Sequence, residues 1–262
     1  MSREWDSKAY HRLSDPQLGW ALKVVGRLDF LRLRGDEHIL DAGCGTGRVT
    51  AAILRKFPNS RVTAVDASEN MVHQARDTLK AFSTRVSVER WDLLELPYEN
   101  QFDLVFSTAV FHWVPDHDHL FKVLFRVLKS GGVLLAQCGG GPNLQLLRDR
   151  IRQAMETEKF RTYFANWTRV WEYPGPELTI KRLERAGFGD VSSTLEAAPV
   201  AFENASRYRD FLVAMILHPY FERLPAELQV DFRDLLVRQA EKDKPPFLLD
   251  YWRLNLQARK PV

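Results

Sequence analysis

Between His38 and Thr50 the chain reads HILDAGCGTGRVT: a short apolar run, glycines at three alternate positions (Gly43, Gly45 and Gly47), then residues of helical period. A connection that must leave a buried strand and enter a helix within a few residues needs backbone of positive φ, which glycine supplies without a Cβ penalty. Such a loop belongs at the carboxyl end of a strand in a βαβ unit. The same alternation continues downstream. HILDAG, RVTAVDAS, RVSVERWDL, FDLVFSTAV and VLLAQC read as strands. Between them lie helical stretches at Arg48 to Phe57, after Ser68 with Met71, Val72, Ala75 and Leu79 on the inner face, and from Asp116 to Leu128, closed by KSGG. This pattern predicts an α/β fold whose parallel sheet is covered on both faces.

The flanks are more helical. Leu18, Leu22, Val25 and Leu28 recur at helical spacing after Ser14, Asp15 and Pro16, and a turn is expected at Gly35. Beyond Cys138 we expect helix from Leu144 to about Phe164, a loop at YPGPE, and helix from Leu178 to Ala186 capped by Gly187. A strand in VSSTLEAAPVAF follows, then helix from Ser206 to Lys242 in two pieces broken at Pro219 and Pro225, and a last strand in DYWRLNLQARK. The domain reading is an N-terminal helical segment (1–34) and one domain (35–262) with helical insertions at about 142–175 and 205–246 that cover the ligand end of the sheet.

Composition narrows the function classes. Lys and Arg exceed Asp and Glu by only three charges and are interleaved with them, so no basic face for nucleic acid is expected. Cys44 and Cys138, far apart and in no metal-ligand spacing, are expected to be reduced packing residues. His117 and His119 diverge at a helix start and are expected at the surface, so no metal site is anticipated. A polar N-terminus and the lack of a long apolar stretch lead us to expect a cytoplasmic protein with no membrane partner. Monomer and dimer both remain open.

The glycine spacing discriminates among ligands. A dinucleotide loop needs GxGxxG, but Arg48 or Thr50 falls at the third position, and no GK followed by Ser or Thr offers a phosphate loop. The tyrosine and lysine pair of a short-chain dehydrogenase is also missing. An adenosine without phosphates fits better. Asp66, at the end of the second strand, can accept both hydroxyls of a ribose diol, because an ionised carboxylate is acceptor-only.

At this point the sequence resembles the class I S-adenosylmethionine-dependent methyltransferases, whose fold is a three-layer, Rossmann-like, seven-stranded and mostly parallel sheet. LDAGCGTGRVT is similar to their first motif, VTAVDASENMVHQAR to the second-strand acidic motif, and RWDLLELP, FDLVFSTAVFHWV and LKSGGVLLA to the third, fourth and fifth strand segments. The resemblance implies S-adenosyl-L-methionine as cofactor and S-adenosyl-L-homocysteine as product. It further implies that Gly43, Gly45 and Gly47 line the methionine part, Asp41 supports its ammonium group, and Asp66 holds the ribose. Asp92 and Leu93 would receive the adenine, Ala67 and Met71 would pack beside the adenosine, and Ser107 or Thr108 would stand where the methionine end and the methyl group emerge. Packing is the alternative for Met71, a loop cap for Asp92 and a turn for Asp41. WDSKAYHRLSD resembles the segment that folds over the cofactor, with Trp5, Tyr10 and His11 as its candidates, Tyr10 as a cofactor contact.

On the acceptor side, VFHWVPD is similar to the fourth-strand segment of the trans-aconitate, malonyl-carrier-protein and juvenile hormone acid carboxyl methyltransferases. The Asn/Asp-Pro-Pro-aromatic motif of nucleobase amino methylation is absent. An ionised carboxylate is already a nucleophile and needs orientation, which N–H donors on His112 and Trp113 could give. Were the acceptor a phenol or an amine, His112 could remove its proton. By the same resemblance the insertions supply the rest of the acceptor pocket and hold Arg148, Arg152, His218 and Tyr220; Arg148 and Arg152, four apart on one predicted helix, would suit a polycarboxylate. The expected function is methyl transfer to a small molecule, first a carboxylate oxygen. The alternatives are a phenolic or amine acceptor, or a protein that binds S-adenosylmethionine without catalysis.

Overall fold

The computed structural model describes residues 4, 5, 7, 14–31, 33–168 and 170–262. In chain order the first part holds α1 (Asp15–Arg27), β1 (His38–Ala42), α2 (Arg48–Lys56), β2 (Arg61–Asp66), α3 (Glu69–Thr78), β3 (Val86–Arg90), β4 (Phe102–Thr108), α4 (His117–Val127) and β5 (Leu128–Gly139). There follow α5 (Gln145–Glu156), α6 (Pro176–Arg185), β6 (Gly189–Ala197), β7 (Val200–Ala201), α7 (Ala205–Met215), α8 (His218–Phe221), α9 (Ala226–Ala240), β8 (Leu248–Leu249) and β9 (Trp252–Arg259). Among the described residues no helix is long and apolar enough to cross a membrane.

Seven strands form one sheet in the order β3-β2-β1-β4-β5-β9-β6. β1 pairs in parallel with β2 and with β4, β2 with β3, and β4 with β5. β9 runs against β5: the Gly131 amide donates to Lys260 O and the Lys260 amide to Gly132 O, while at the other end Gln137 Nε2 reaches Asn255 Oδ1. The order reverses at β1, between β2 and β4, and such a switch point opens a crevice at the carboxyl ends of the strands. The glycine loop leaves β1 there.

Alternation along the strands serves two apolar layers. Ile39, Leu104, Phe106, Val133 and Leu135 pack with Val24, Val25 and Leu28 at α1 and with Ala51, Ile53 and Leu54 of α2. Leu40, Ala42, Val105, Leu134 and Ala136 pack with Leu120, Phe121, Leu124 and Val127 of α4 and Leu183 of α6. Each large apolar side chain buried this way contributes about 1.5–3 kcal/mol, so the sheet with its switch point is the rigid frame of the molecule.

The chain divides into two compact units. The first gathers Met1–Gly141, Trp171–Leu195 and Leu254–Val262; the second, Pro142–Val170 and Glu196–Arg253. Within the second, α9 packs on α5 and α7, and Phe232 meets Phe160 edge to face at 5.1 Å and stacks with Tyr220 at 6.1 Å.

Several expectations need correction. Leu22 is 45% exposed, and the buried face of α1 is Ala21, Val24 and Val25; at about 100° per residue, Leu22 turns away from Ala21. The segment KSGG does not close a helix but lies inside β5, where the register with β4 shifts between Phe102 and Leu104 and Gly131 has φ +75°. The helix from Leu144 spans only Gln145–Glu156, because Thr157 turns extended (ψ 153°) and a separate turn at Arg161–Phe164 follows. Pro219 does not break a helix but sits in the first turn of α8, where a missing amide costs nothing. His117 is buried rather than at the surface: at the start of α4 it turns back, and its Nε2 donates to Phe111 O at 2.9 Å. Desolvation holds its pKa below the usual imidazole value. His119 is exposed.

Candidate active site

The end of β1 is tied over β2 before the chain turns. The amides of Gly43 and Cys44 both donate to Val65 O at 2.9 Å. Gly43, Gly45 and Gly47 all have positive φ, at +86°, +53° and +79°, but their surroundings differ. A Cβ on Gly43 would stand 2.2 Å from Val110 Cγ2, and one on Gly47 3.1 Å from the Leu79 side chain. A Cβ on Gly45 meets nothing within 4 Å. Two glycines thus let elements pack closely, and only the middle one opens its backbone to space that a ligand can use.

Two carboxylates flank this loop. Asp41 is buried and accepts a 2.5 Å hydrogen bond from Thr50 Oγ1. Burial pushes its pKa up to about 7; the Thr50 hydroxyl opposes that rise and the charge of Asp66 adds to it. Asp66 Oδ2 accepts from the Gly45 amide at 2.9 Å and Oδ1 from the Ser68 amide at 3.0 Å. Desolvation raises its pKa too, against the pull of these amides. Each oxygen retains a second lone pair. Two desolvated acids side by side are costly alone and favour a cation.

Further round, Ser68 caps α3 as its sequence suggested, accepting from the Met71 amide at 3.3 Å. Met71 is buried on the inner face of α3. Ala67 O accepts from Arg90 Nε at 3.1 Å, Leu93 is buried, and Asp92 is exposed with Oδ1 on the Leu94 amide at 3.0 Å. Asp92 therefore shapes its own turn with at least one of its oxygens. Ser107 Oγ donates to Ala42 O at 2.6 Å, stitching β4 to the last residue of β1.

β4 then ends abruptly. Ala109 has φ +60°, rare for a residue with a side chain and costly by about 1–2 kcal/mol, and it redirects the chain so that Val110 lies on Gly43. The next turn carries His112 and Trp113, closed by the Trp113 amide on Val110 O at 2.8 Å. His112 is buried, and its Nδ1 accepts from the Gly139 amide at 3.3 Å. That bond assigns the ring hydrogen of the neutral imidazole to Nε2. The amide of Glu172 donates to His112 O at 3.0 Å, so Trp171 and Tyr173 are brought against this turn. Sequence reasoning did not place Tyr173 here, since a contact across sixty residues leaves no local period.

The other expected acceptor residues lie in the second unit. Tyr220 is buried and stacks on Trp167 at 4.7 Å. His218 is exposed beside Glu222, Arg152 is exposed and pairs with Asp149 at 2.6 Å, and Arg148 Nη1 donates to Asn143 O at 3.2 Å. Of the N-terminal candidates, Tyr10 and His11 lie outside the described residues. Trp5 meets Trp113 edge to face at 5.2 Å.

Glu4 was missed. Its carboxylate accepts from Ser68 Oγ at 2.9 Å, the Glu69 amide at 3.1 Å and the Asn70 amide at 3.2 Å, capping α3 beside Asp66. An acid at position 4, more than sixty residues before the helix it caps, carries no local sign of such a cap. Glu4→Ala removes a cap of the kind that contributes about 0.5–2 kcal/mol. We expect a threefold to tenfold weaker hold on S-adenosylhomocysteine by calorimetric titration; unchanged affinity would separate the cap from the ligand site.

A family model for a methyltransferase domain matches residues 39–132. A trans-aconitate 2-methyltransferase of Sinorhizobium fredii is 32% identical over 91% of this chain and 88% of its own length. Another, of Variovorax paradoxus, is 27% identical over 98% of both. A solved phosphoethanolamine N-methyltransferase 2 of Haemonchus contortus, in complex with S-adenosyl-L-methionine, shares the fold at a TM-score of 0.63 and 21% identity, over 98% of this chain and 57% of that one. The chain belongs to the class I S-adenosylmethionine-dependent methyltransferases, in the group of the trans-aconitate and malonyl-carrier-protein enzymes. It is a methyltransferase, and its cofactor is S-adenosylmethionine.

The residues present fit that cofactor: an open glycine backbone suits its methionine part, and two desolvated acids suit a ligand with a sulfonium and an ammonium. A measurable consequence follows for Asp41. Its folded pKa lies above its unfolded value, so its contribution to stability is full at low pH and is lost as pH rises through about 7. A cation nearby drives the proton off. Cofactor binding near neutral pH should release protons and tighten as pH rises, and Asp41→Asn should abolish both effects. Calorimetry in buffers of different ionisation enthalpy checks this; no proton release would place the ammonium elsewhere.

Proposed function

We propose that this enzyme methylates a carboxylate oxygen of a small-molecule acid. The observation that carries the reading is the Gly139 amide on His112 Nδ1. A phenol or amine needs a base to take its proton, but here the imidazole lone pair is engaged by the backbone and Nε2 presents hydrogen. A carboxylate needs only a donor to orient it in line with the methyl group. The names of the trans-aconitate methyltransferases support the same acceptor chemistry.

When bound, S-adenosylmethionine supplies an activated methyl on a positive sulfur. The chain's own residues hold and shield it. In this proposal Asp66 takes the ribose diol, Asp41 the ammonium and Gly45 the methionine backbone. Ala67, Met71 and Leu93 wall the adenine beside the Asp92 turn. Ser107 serves by fixing β4 to β1, and Gly43 and Gly47 by allowing the loop to close. His112 and Trp113 orient the acceptor, and Glu4 and Trp5 of the N-terminal segment stand over the cofactor.

His112→Gln tests the acceptor role, since the glutamine amide can place an N–H near the Nε2 position. Loss of a charge-assisted hydrogen bond costs about 1.5–3 kcal/mol, roughly 10- to 100-fold. His112→Phe should therefore lower kcat/KM by that factor while His112→Gln stays within about threefold of the parent. Equal loss in both variants would indicate a base, and with it a phenol or amine acceptor.

A further inference from the structure

The turn after β4 is lined by rings in two layers. His112 and Trp171 are buried and form the backing. In front, Trp5, Trp113 and Tyr173 keep part of their surface accessible. Trp113 meets Trp5 at 5.2 Å and Trp171 at 5.7 Å, both edge to face, while Tyr173 stacks on His112 at 5.7 Å and on Trp171 at 5.9 Å. The wall starts directly beside the glycine loop, since Val110, which touches Gly43, accepts the Trp113 amide.

Among the described residues, Glu172 of this segment belongs to a chain of ion pairs. Glu172, between the two rings of its segment, pairs with Arg182 at 3.1 Å; Arg182 also faces Asp118 at 3.4 Å, and Arg185 holds Asp118 at 2.5 Å. Among the described residues, this turn and the segment packed on it carry aromatic surface, with the His112 ring behind it.

From this we propose that the acceptor is a monocarboxylic acid with a planar, unsaturated or aryl body, and not a tricarboxylate of the kind named for the relatives. The inference rests on the carboxylate reading above and adds the shape and charge of the rest of the molecule. A flat body gains about 0.5–1.5 kcal/mol per aromatic contact beyond its area. Extra carboxylates set against ring faces lose water that a ring face does not replace.

The test uses the whole protein with S-adenosylhomocysteine bound, titrated with trans-cinnamate, 3-cyclohexylpropanoate and trans-aconitate while tryptophan fluorescence is followed. The same acids and 4-vinylphenol are then offered with S-adenosylmethionine. We expect cinnamate to bind at least tenfold tighter than either other acid. Trp171→Leu, and independently the half-buried Tyr173→Leu, should shrink that preference to about threefold without changing the affinity for S-adenosylhomocysteine. Tighter binding of trans-aconitate, or equal binding of the saturated ring, overturns the proposal and leaves carboxyl methylation standing if either acid is methylated. Methylation of 4-vinylphenol with no acid turned over defeats the carboxylate reading itself, and the proposal with it.

Discussion

Asp66→Ala should weaken S-adenosylhomocysteine binding by at least about a hundredfold while leaving the apo protein folded. Two hydrogen bonds from a ribose diol to a desolvated carboxylate contribute about 1.5–3 kcal/mol each, and about 2.7 kcal/mol is a hundredfold in affinity. The variant also frees the Gly45 amide, which Asp66 Oδ2 now holds at 2.9 Å, so the loop loses its brace together with its acceptor. Apo stability changes little, because the raised pKa of Asp66 means that its charge is a burden in the folded state, offsetting the two lost amide bonds. Asp66→Asn keeps one acceptor oxygen and should lose only about tenfold. A thermal-shift titration shows the outcome: an undiminished response in Asp66→Ala would remove the residue from the cofactor site.

Gly43→Ala should be the most destabilising single change in the loop, by about 2–5 kcal/mol. A side chain at φ +86° costs about 1–2 kcal/mol, and a Cβ 2.2 Å from Val110 forces overpacking of about 1–3 kcal/mol more. Val110→Ala in the same chain should recover part of the second cost and none of the first. Gly45→Ala makes the contrast. With nothing within 4 Å of its added methyl, only the backbone cost at φ +53° remains and its stability should fall by about 1–2 kcal/mol, but cofactor affinity should fall at least tenfold, because the methyl group fills the space argued for the methionine. Denaturant melts and titrations of the pair decide it: a Gly45→Ala variant that binds normally would mean that the open face of the loop is not the cofactor's.

The parts of this molecule that could be read from sequence are those encoded within a few residues. The glycine spacing, the Ser68 cap, the buried stripe of α3 and the acidic end of β2 each declare themselves locally, and the order of strands and helices then implies the switch point. What escaped depends on distant partners. Leu22 and Ala21 both fit a helical stripe, and only the neighbouring α2 decides which is buried. His117 reads as a polar residue at a helix start until the Phe111 carbonyl takes its hydrogen. The KSGG glycines look like a helix stop, and become strand because β9 returns more than a hundred residues later to pair with them. Glu4 on α3 and Tyr173 on His112 are of the same kind.

The acceptor chemistry is tested most directly by the product. The protein is incubated with S-adenosylmethionine carrying a labelled methyl group and a panel of acids, phenols and amines, and each labelled product is then treated with mild alkali. A methyl ester is saponified under those conditions and returns the label as methanol, whereas an aryl ether or a methylamine keeps it. The account predicts a labelled acid product whose label is released by alkali. An alkali-stable label on a phenol or amine, with the acids untouched, would contradict it.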